Sequence, residues 1–160
     1  MIMSLSIRPV TKDNWLTLAR LKVNEDQAHF VAPNIYSIAE AQFGEDSEQG
    51  HWDSYPFGIY DDETPVGFFM YEFNFDSPKM QGFIVRLMVD EKFQGRGYGK
   101  FGVEKMIEIF RAEERVKVAG VSYEPENGAA RKLYAKYGFE ETREIWQGET
   151  LALLKLRKSP

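Results

Sequence analysis

The 160-residue chain contains no cysteine and only two histidines, His29 and His51. The first absence excludes a disulfide framework, a thiol nucleophile and any cysteine-ligated zinc or iron–sulfur centre. The histidines stand alone, without a partner pattern for metal binding or triad chemistry, so no metal is expected. No apolar run approaches the roughly 18 residues of a membrane span, and the opening MIMSLSIRPV lacks a basic segment followed by a long apolar one. The expectation is a soluble cytoplasmic protein with no membrane partner. An excess of positive charge is lacking too. The net charge of −5 and an isoelectric point near 5.2 argue against nucleic acid as a partner. A hydrophobic fraction of 43% and a charged fraction of 28% belong to a globular chain, and its length to a single domain over 1–160.

Lysine and arginine are themselves missing from one long stretch. Between Lys22 and Lys79 there are 56 residues with neither, yet these carry 12 carboxylates and 12 aromatic rings. Residues 1–80 hold 13 acids against 5 bases, and residues 81–160 hold 12 against 15. An acidic, solvated surface over an aromatic core accounts for this pattern. So does a site for a cationic ligand, because carboxylates and aromatic faces both attract ammonium groups.

The periodicity changes along the chain. SLSIRPV (4–10) alternates like a strand. Thr11 stands where an N-cap belongs, ahead of a helix through Trp15, Leu18, Leu21 and Lys22. Ser37 and Glu40 have capping-box spacing, which predicts a helix over 38–43, followed by a polar loop over 44–50. Two β-rich runs, 55–61 and 65–73, flank the turn residues DDET as in a hairpin. Another strand follows over 83–90. Val103, Met106, Ile107 and Phe110 then recur at helical spacing, 116–124 is strand-like, and 127–137 is helical with Gly138 at its end. A final strand or hairpin closes the chain. The fold class is α/β (α+β): one mixed, mostly antiparallel twisted sheet flanked by helices, with a β-α-β-α-β C-terminal half.

The strand-to-helix junction Gln94-Gly95-Arg96-Gly97-Tyr98-Gly99-Lys100 has three glycines at alternate positions and two bases. Such a turn lets successive N–H groups at a helix start converge on one anion, with Tyr98 lying along it. Gly97 and Gly99 are expected at positive φ. A plain tight turn also uses glycines. Gly97-x-Gly99-x-x-Gly102 matches the dinucleotide fingerprint, but it begins too late, after an antiparallel region, to build a doubly wound sheet.

LMVDEKFQGRGYGK resembles the cofactor signature of the GNAT family of N-acetyltransferases, [QR]-x-x-G-x-[GA] after an apolar strand. ENGAARKLYAKYGF is similar to that family's second signature at Asn127, Ala130, Leu133, Tyr134, Gly138 and Phe139. The stretch 24–41 looks like the N-terminal region of bacterial spermine/spermidine acetyltransferases.

The resemblance implies that acetyl-CoA is the co-substrate. Its pyrophosphate would lie on backbone N–H groups of Gly95 to Lys100, and its pantetheine arm beside Leu87, Met88 and Val89. A backbone N–H there would polarise the thioester carbonyl. Asn127 matches a cofactor-binding asparagine and is equally placed to be a helix N-cap. Tyr134 matches the general acid that protonates the departing thiolate, though it also sits on its helix's apolar face as a core tyrosine would. The base is less determined. Some polyamine acetyltransferases carry an acid where this chain has Val85, others where it has Ser122. Glu72, Glu25, Asp26, Glu124 or a water chain are left as candidates, Glu72 foremost as base and Glu25 and Asp26 as substrate contacts.

The function implied is direct N-acetylation of a small, cationic polyamine. The absence of cysteine removes the thiol route to an acyl-enzyme. Another amine, such as a protein N-terminus or an aminoglycoside, or a non-catalytic acyl-CoA sensor, are the alternatives, and a homodimer is left open. Residues 1–80 would form the acceptor side and 81–160 the acetyl-CoA side.

Overall fold

The computed structural model describes residues 4–157. Its strands are β1 (Leu5–Pro9), β2 (Glu45–Ser47), β3 (Gly50–Asp61), β4 (Thr64–Phe73), β5 (Gly82–Val89), β6 (Val118–Tyr123), β7 (Glu140–Trp146) and β8 (Glu149–Lys155). The helices are α1 (Trp15–Ala19), α2 (Asn34–Glu40), α3 (Tyr98–Ala112) and α4 (Gly128–Lys136), with a 3-10 turn at Glu25–Gln27. The strands form one sheet in the order β1-β3-β4-β5-β6-β8-β7, with β2 paired to β3 alone. Every pairing is antiparallel except β5–β6, which α3 connects as a parallel crossover.

Alternation along β4 divides the core. Phe69, Tyr71 and Phe73 face the cluster under α3, where Val103, Met106, Ile107 and Phe110 are buried at the predicted spacing. Phe68 and Met70 face the other way, into a second cluster with Leu18 of α1 and Ile38 of α2. Each such side chain contributes about 2 kcal/mol by leaving water. Glu72 continues that second face, so the strand's own period delivers a carboxyl into the interior, 2% exposed.

Local expectations needed adjustment at both early helices. Asn14, not Thr11, is the N-cap of α1, which ends at Ala19; Thr11 instead starts a turn, its N–H donating to Asn14 Oδ1 at 2.7 Å. α2 begins at Asn34, four residues before the capping-box estimate, because Pro33 sets its entry and the Asn34 amide donates to Leu18 O at 2.9 Å. Ser37 is consequently a buried mid-helix residue rather than a cap. The polar loop at 44–50 contains β2. α4 meets expectation: Asn127 Oδ1 accepts from Ala130 N–H at 3.1 Å. At its other end Gly138, at φ 92°, donates to Ala135 O while Phe139 donates to Tyr134 O, a Schellman closure.

Candidate active site

Two strands that start as neighbours part company at the centre of the sheet. β5 and β6 pair only at Gly82↔Ala119, Phe83↔Gly120 and Ile84↔Val121, although β5 runs on to Val89 and β6 to Tyr123. Among the described residues the β5 edge facing β6 has no partner strand beyond Ile84; apart from the Val85 and Val89 carbonyls, which accept from the Arg86 and Gln94 side chains, its polar backbone groups are available to a ligand.

A cleft of about 540 Å³ occupies this splay. Leu87, Met88 and Val89 line one wall, Asn127, Leu133 and Tyr134 another, and Gly95, Gly97, Gly99 and Lys100 close the end at α3. Gly95 and Gly97 have φ of 78° and 88°, and a Cβ on either would meet no atom within 4 Å. Left-handed backbone and open space together make a concave shelf ahead of the first turn of α3, whose N–H groups have no intrahelical acceptor. A phosphorylated ligand fits that shelf. Gly99 differs from expectation: it lies inside α3 without a positive φ, and its Cβ would find only Val89 at 3.8 Å. Tyr98 does not lie along the turn either. It is 3% exposed, and its hydroxyl donates to Asp61 Oδ2 at 2.5 Å. The Gln94 amide donates to Gln27 Oε1 and Val89 O, tying the 3-10 turn to the shelf, while the Arg96 guanidinium sits 5.6 Å from the Phe93 ring centre.

Tyr134 joins the core to the cleft. Its ring stacks on Tyr123 at 6.0 Å and packs edge-on against Phe139. Its hydroxyl makes no hydrogen bond among the described residues. Burial pushes the phenol well above its ordinary value, which keeps it protonated at neutral pH.

A second recess, about 340 Å³, borders the same splay at Val85 and Ser122. Glu40, Glu45, Glu72 and Glu149 line it together with Arg86, beside the rings of Tyr36, Trp52 and Trp146. Glu72 accepts from Ser54 Oγ at 2.8 Å. Burial raises its carboxyl from 4.5 to about 7, the Ser54 hydrogen bond opposing. Burial also raises Glu40 and Glu149.

Residues 19–139 match the acetyltransferase (GNAT) family. The chain belongs to that family. It is an acetyl-CoA-dependent GNAT N-acetyltransferase. A spermine/spermidine N(1)-acetyltransferase of Bacillus subtilis (strain 168) is 28% identical over 159 residues, covering 96% of this chain and 100% of that protein. Among solved structures, an aminoglycoside acetyltransferase in complex with coenzyme A superposes with a TM-score of 0.72 at 15% identity, over 95% of each chain. A spermidine N-acetyltransferase from Vibrio cholerae, in complex with CoA and spermine, gives 0.69 at 13% identity, again over 95% of each chain.

Within this GNAT domain the sequence candidates fall into two groups. Leu87, Met88, Val89, Gln94, Gly95, Gly97, Tyr98, Gly99, Lys100, Asn127 and Tyr134 surround the cleft, and Asp26 joins them from the 3-10 turn. Glu72 stands in the acidic recess. Glu25 and Glu124 line neither, and Arg96 is exposed beside the shelf. Each recess draws on both halves of the chain: Val23 to Val31 reach the cleft, and Arg86, Ser122 and Glu149 the acidic recess. Glu40, Arg86 and Glu149 carry no local signal in the sequence, because only the packing of α2 and the order of the strands bring them together.

Proposed function

We propose that the protein transfers the acetyl group of acetyl-CoA to a primary amine of a small polyamine such as spermidine or spermine. The observation that carries this reading is the acidic, aromatic-walled recess that meets the cleft at the β5–β6 splay, with Glu72 inside it. The family relatives named for spermine and spermidine support the same substrate class.

In this reading the shelf of Gly95 to Lys100 binds the pyrophosphate, and the free edge of Leu87 to Val89 takes the pantetheine arm as an added strand. Asn127 borders that arm while capping α4. Acetyl-CoA, when bound, supplies the thioester carbonyl that an amine nitrogen attacks directly. The acceptor arrives as an ammonium with a pKa of about 10 and must first lose a proton. Glu72 takes it. A carboxyl titrating at about 7 is a stronger base than an ordinary glutamate and is still ionised at mildly alkaline pH. Glu40, Glu45 and Glu149 hold the remaining ammonium groups, with ring faces of Trp52 and Trp146 alongside. On the other side of the splay Tyr134 gives its proton to the departing sulfur.

Thiol release from acetyl-CoA, measured with spermidine, an aminoglycoside and a peptide with a free N-terminus, tests the proposal. Turnover highest with spermidine is expected. A higher kcat/KM with either of the others would transfer the assignment to that amine, and no turnover with any would leave an acyl-CoA sensor.

A further inference from the structure

The acidic recess contains one cation of its own. Met70 of β4 pairs with Arg86 and Tyr71 with Ile84, so Val85 is an extra residue, a β-bulge. Simple alternation would send Arg86 to the α3 face with Ile84. The bulge shifts the phase, and Arg86 joins Val85 on the recess wall while Leu87 returns to the α3 side.

There the guanidinium is held loosely for a half-buried charge. Its Nη2 donates to Glu40 Oε2 at 3.3 Å and its Nη1 to the carbonyl of Val85 at 3.0 Å. Among the described residues its Nε is buried with no partner. Arg86 also lowers the carboxyls of Glu40, Glu72 and Glu149 against the effect of burial, so its charge reaches all three walls.

Resting on the reading that the acceptor enters this recess, we propose that Arg86 is a specificity-determining residue that fills one cation position among Glu40, Glu72 and Glu149 and so favours a triamine over a tetraamine. With all four glutamates ionised the recess carries a formal charge of −3. Spermidine, with three ammonium groups, matches it. The fourth ammonium of spermine adds repulsion from the guanidinium within a few ångströms, in a half-buried place where the effective dielectric is about 20 rather than 80. A neutral side chain at 86 removes that repulsion and frees Glu40 for an ammonium.

The test is the ratio of kcat/KM for spermidine to that for spermine, measured in wild type, Arg86→Met and Arg86→Lys. The wild type should favour spermidine. Arg86→Met should move the ratio toward spermine by at least about tenfold, and Arg86→Lys, which keeps the charge, should restore the wild-type preference. Arg86→Gln serves as the neutral variant should the methionine protein fail to fold. A spermine preference in the wild type, or an equal ratio in wild type and the neutral variant, overturns the role of Arg86 while the polyamine reading stands. A wild type that acetylates neither polyamine overturns both.

Discussion

Replacing Glu72 by glutamine should make the protein more stable and less active, and both effects should depend on pH. The carboxyl is buried and titrates at about 7 instead of 4.5. Between those values the folded chain keeps a proton that the unfolded chain has released. Stability is therefore highest, as far as this group matters, below pH 4.5, and it falls as pH rises toward 7. The difference is worth about 3 kcal/mol at most, from roughly 1.4 kcal/mol for each pH unit. Glutamine keeps the shape and the Ser54 hydrogen bond but does not titrate. Urea unfolding of both proteins at pH 5 and pH 8 should show the variant gaining on the wild type by a few kcal/mol at the higher pH. In the same window kcat/KM of the wild type should climb through about pH 7, and that rise should vanish in the variant along with most of the activity. If the two proteins lose stability in parallel between pH 5 and pH 8, Glu72 is not a buried, proton-holding carboxyl and the base assignment falls with it.

Tyr134→Phe should lower kcat by about 10²-fold with the KM for acetyl-CoA unchanged. Because the hydroxyl has no hydrogen-bond partner among the described residues, the melting temperature should barely move; a folded variant with wild-type turnover would return Tyr134 to a purely packing role. Gly97→Val places a branched side chain at φ 88° on the open shelf. It should weaken acetyl-CoA binding at least tenfold by calorimetry, at a strain cost of about 1–2 kcal/mol, and unchanged affinity would remove the shelf from the site. Tyr98→Phe frees the start of α3 from Asp61. It should raise the KM for acetyl-CoA several-fold and leave the amine KM alone, so an equal rise in both would argue against a local effect on the shelf.

The legible parts were those that a local pattern dictates. α3 and α4 follow from helical periodicity and from the Asn127 and Gly138 caps, and the cleft from two motifs whose residues lie close in sequence. Ser37–Glu40 misled because capping-box spacing is a local signal, and the tertiary bond from Asn34 to Leu18 O starts the helix earlier. The sequence places Tyr98 along the glycine-rich turn because its partner, Asp61, is 37 positions away. The acidic recess lay furthest from view. Glu40 comes from α2, Glu72 from β4 and Glu149 from β8, and only the order of strands in the sheet and the packing of α2 on it make them neighbours. Arg86 needed the bulge as well, and nothing in IVRLMV announces one.

The polyamine function rests most heavily on a multiply charged acceptor held by the carboxylates of that recess. The direct measurement is kcat/KM for spermidine relative to butylamine as ionic strength rises. Each carboxylate within about 8–10 Å attracts a second and third ammonium that butylamine lacks, and salt screens that attraction. Spermidine should lead by at least about tenfold at low salt, with the lead shrinking steadily as sodium chloride approaches 0.5 M because its KM rises. Equal efficiency of the two amines at low salt, or a lead that salt leaves untouched, would contradict the account.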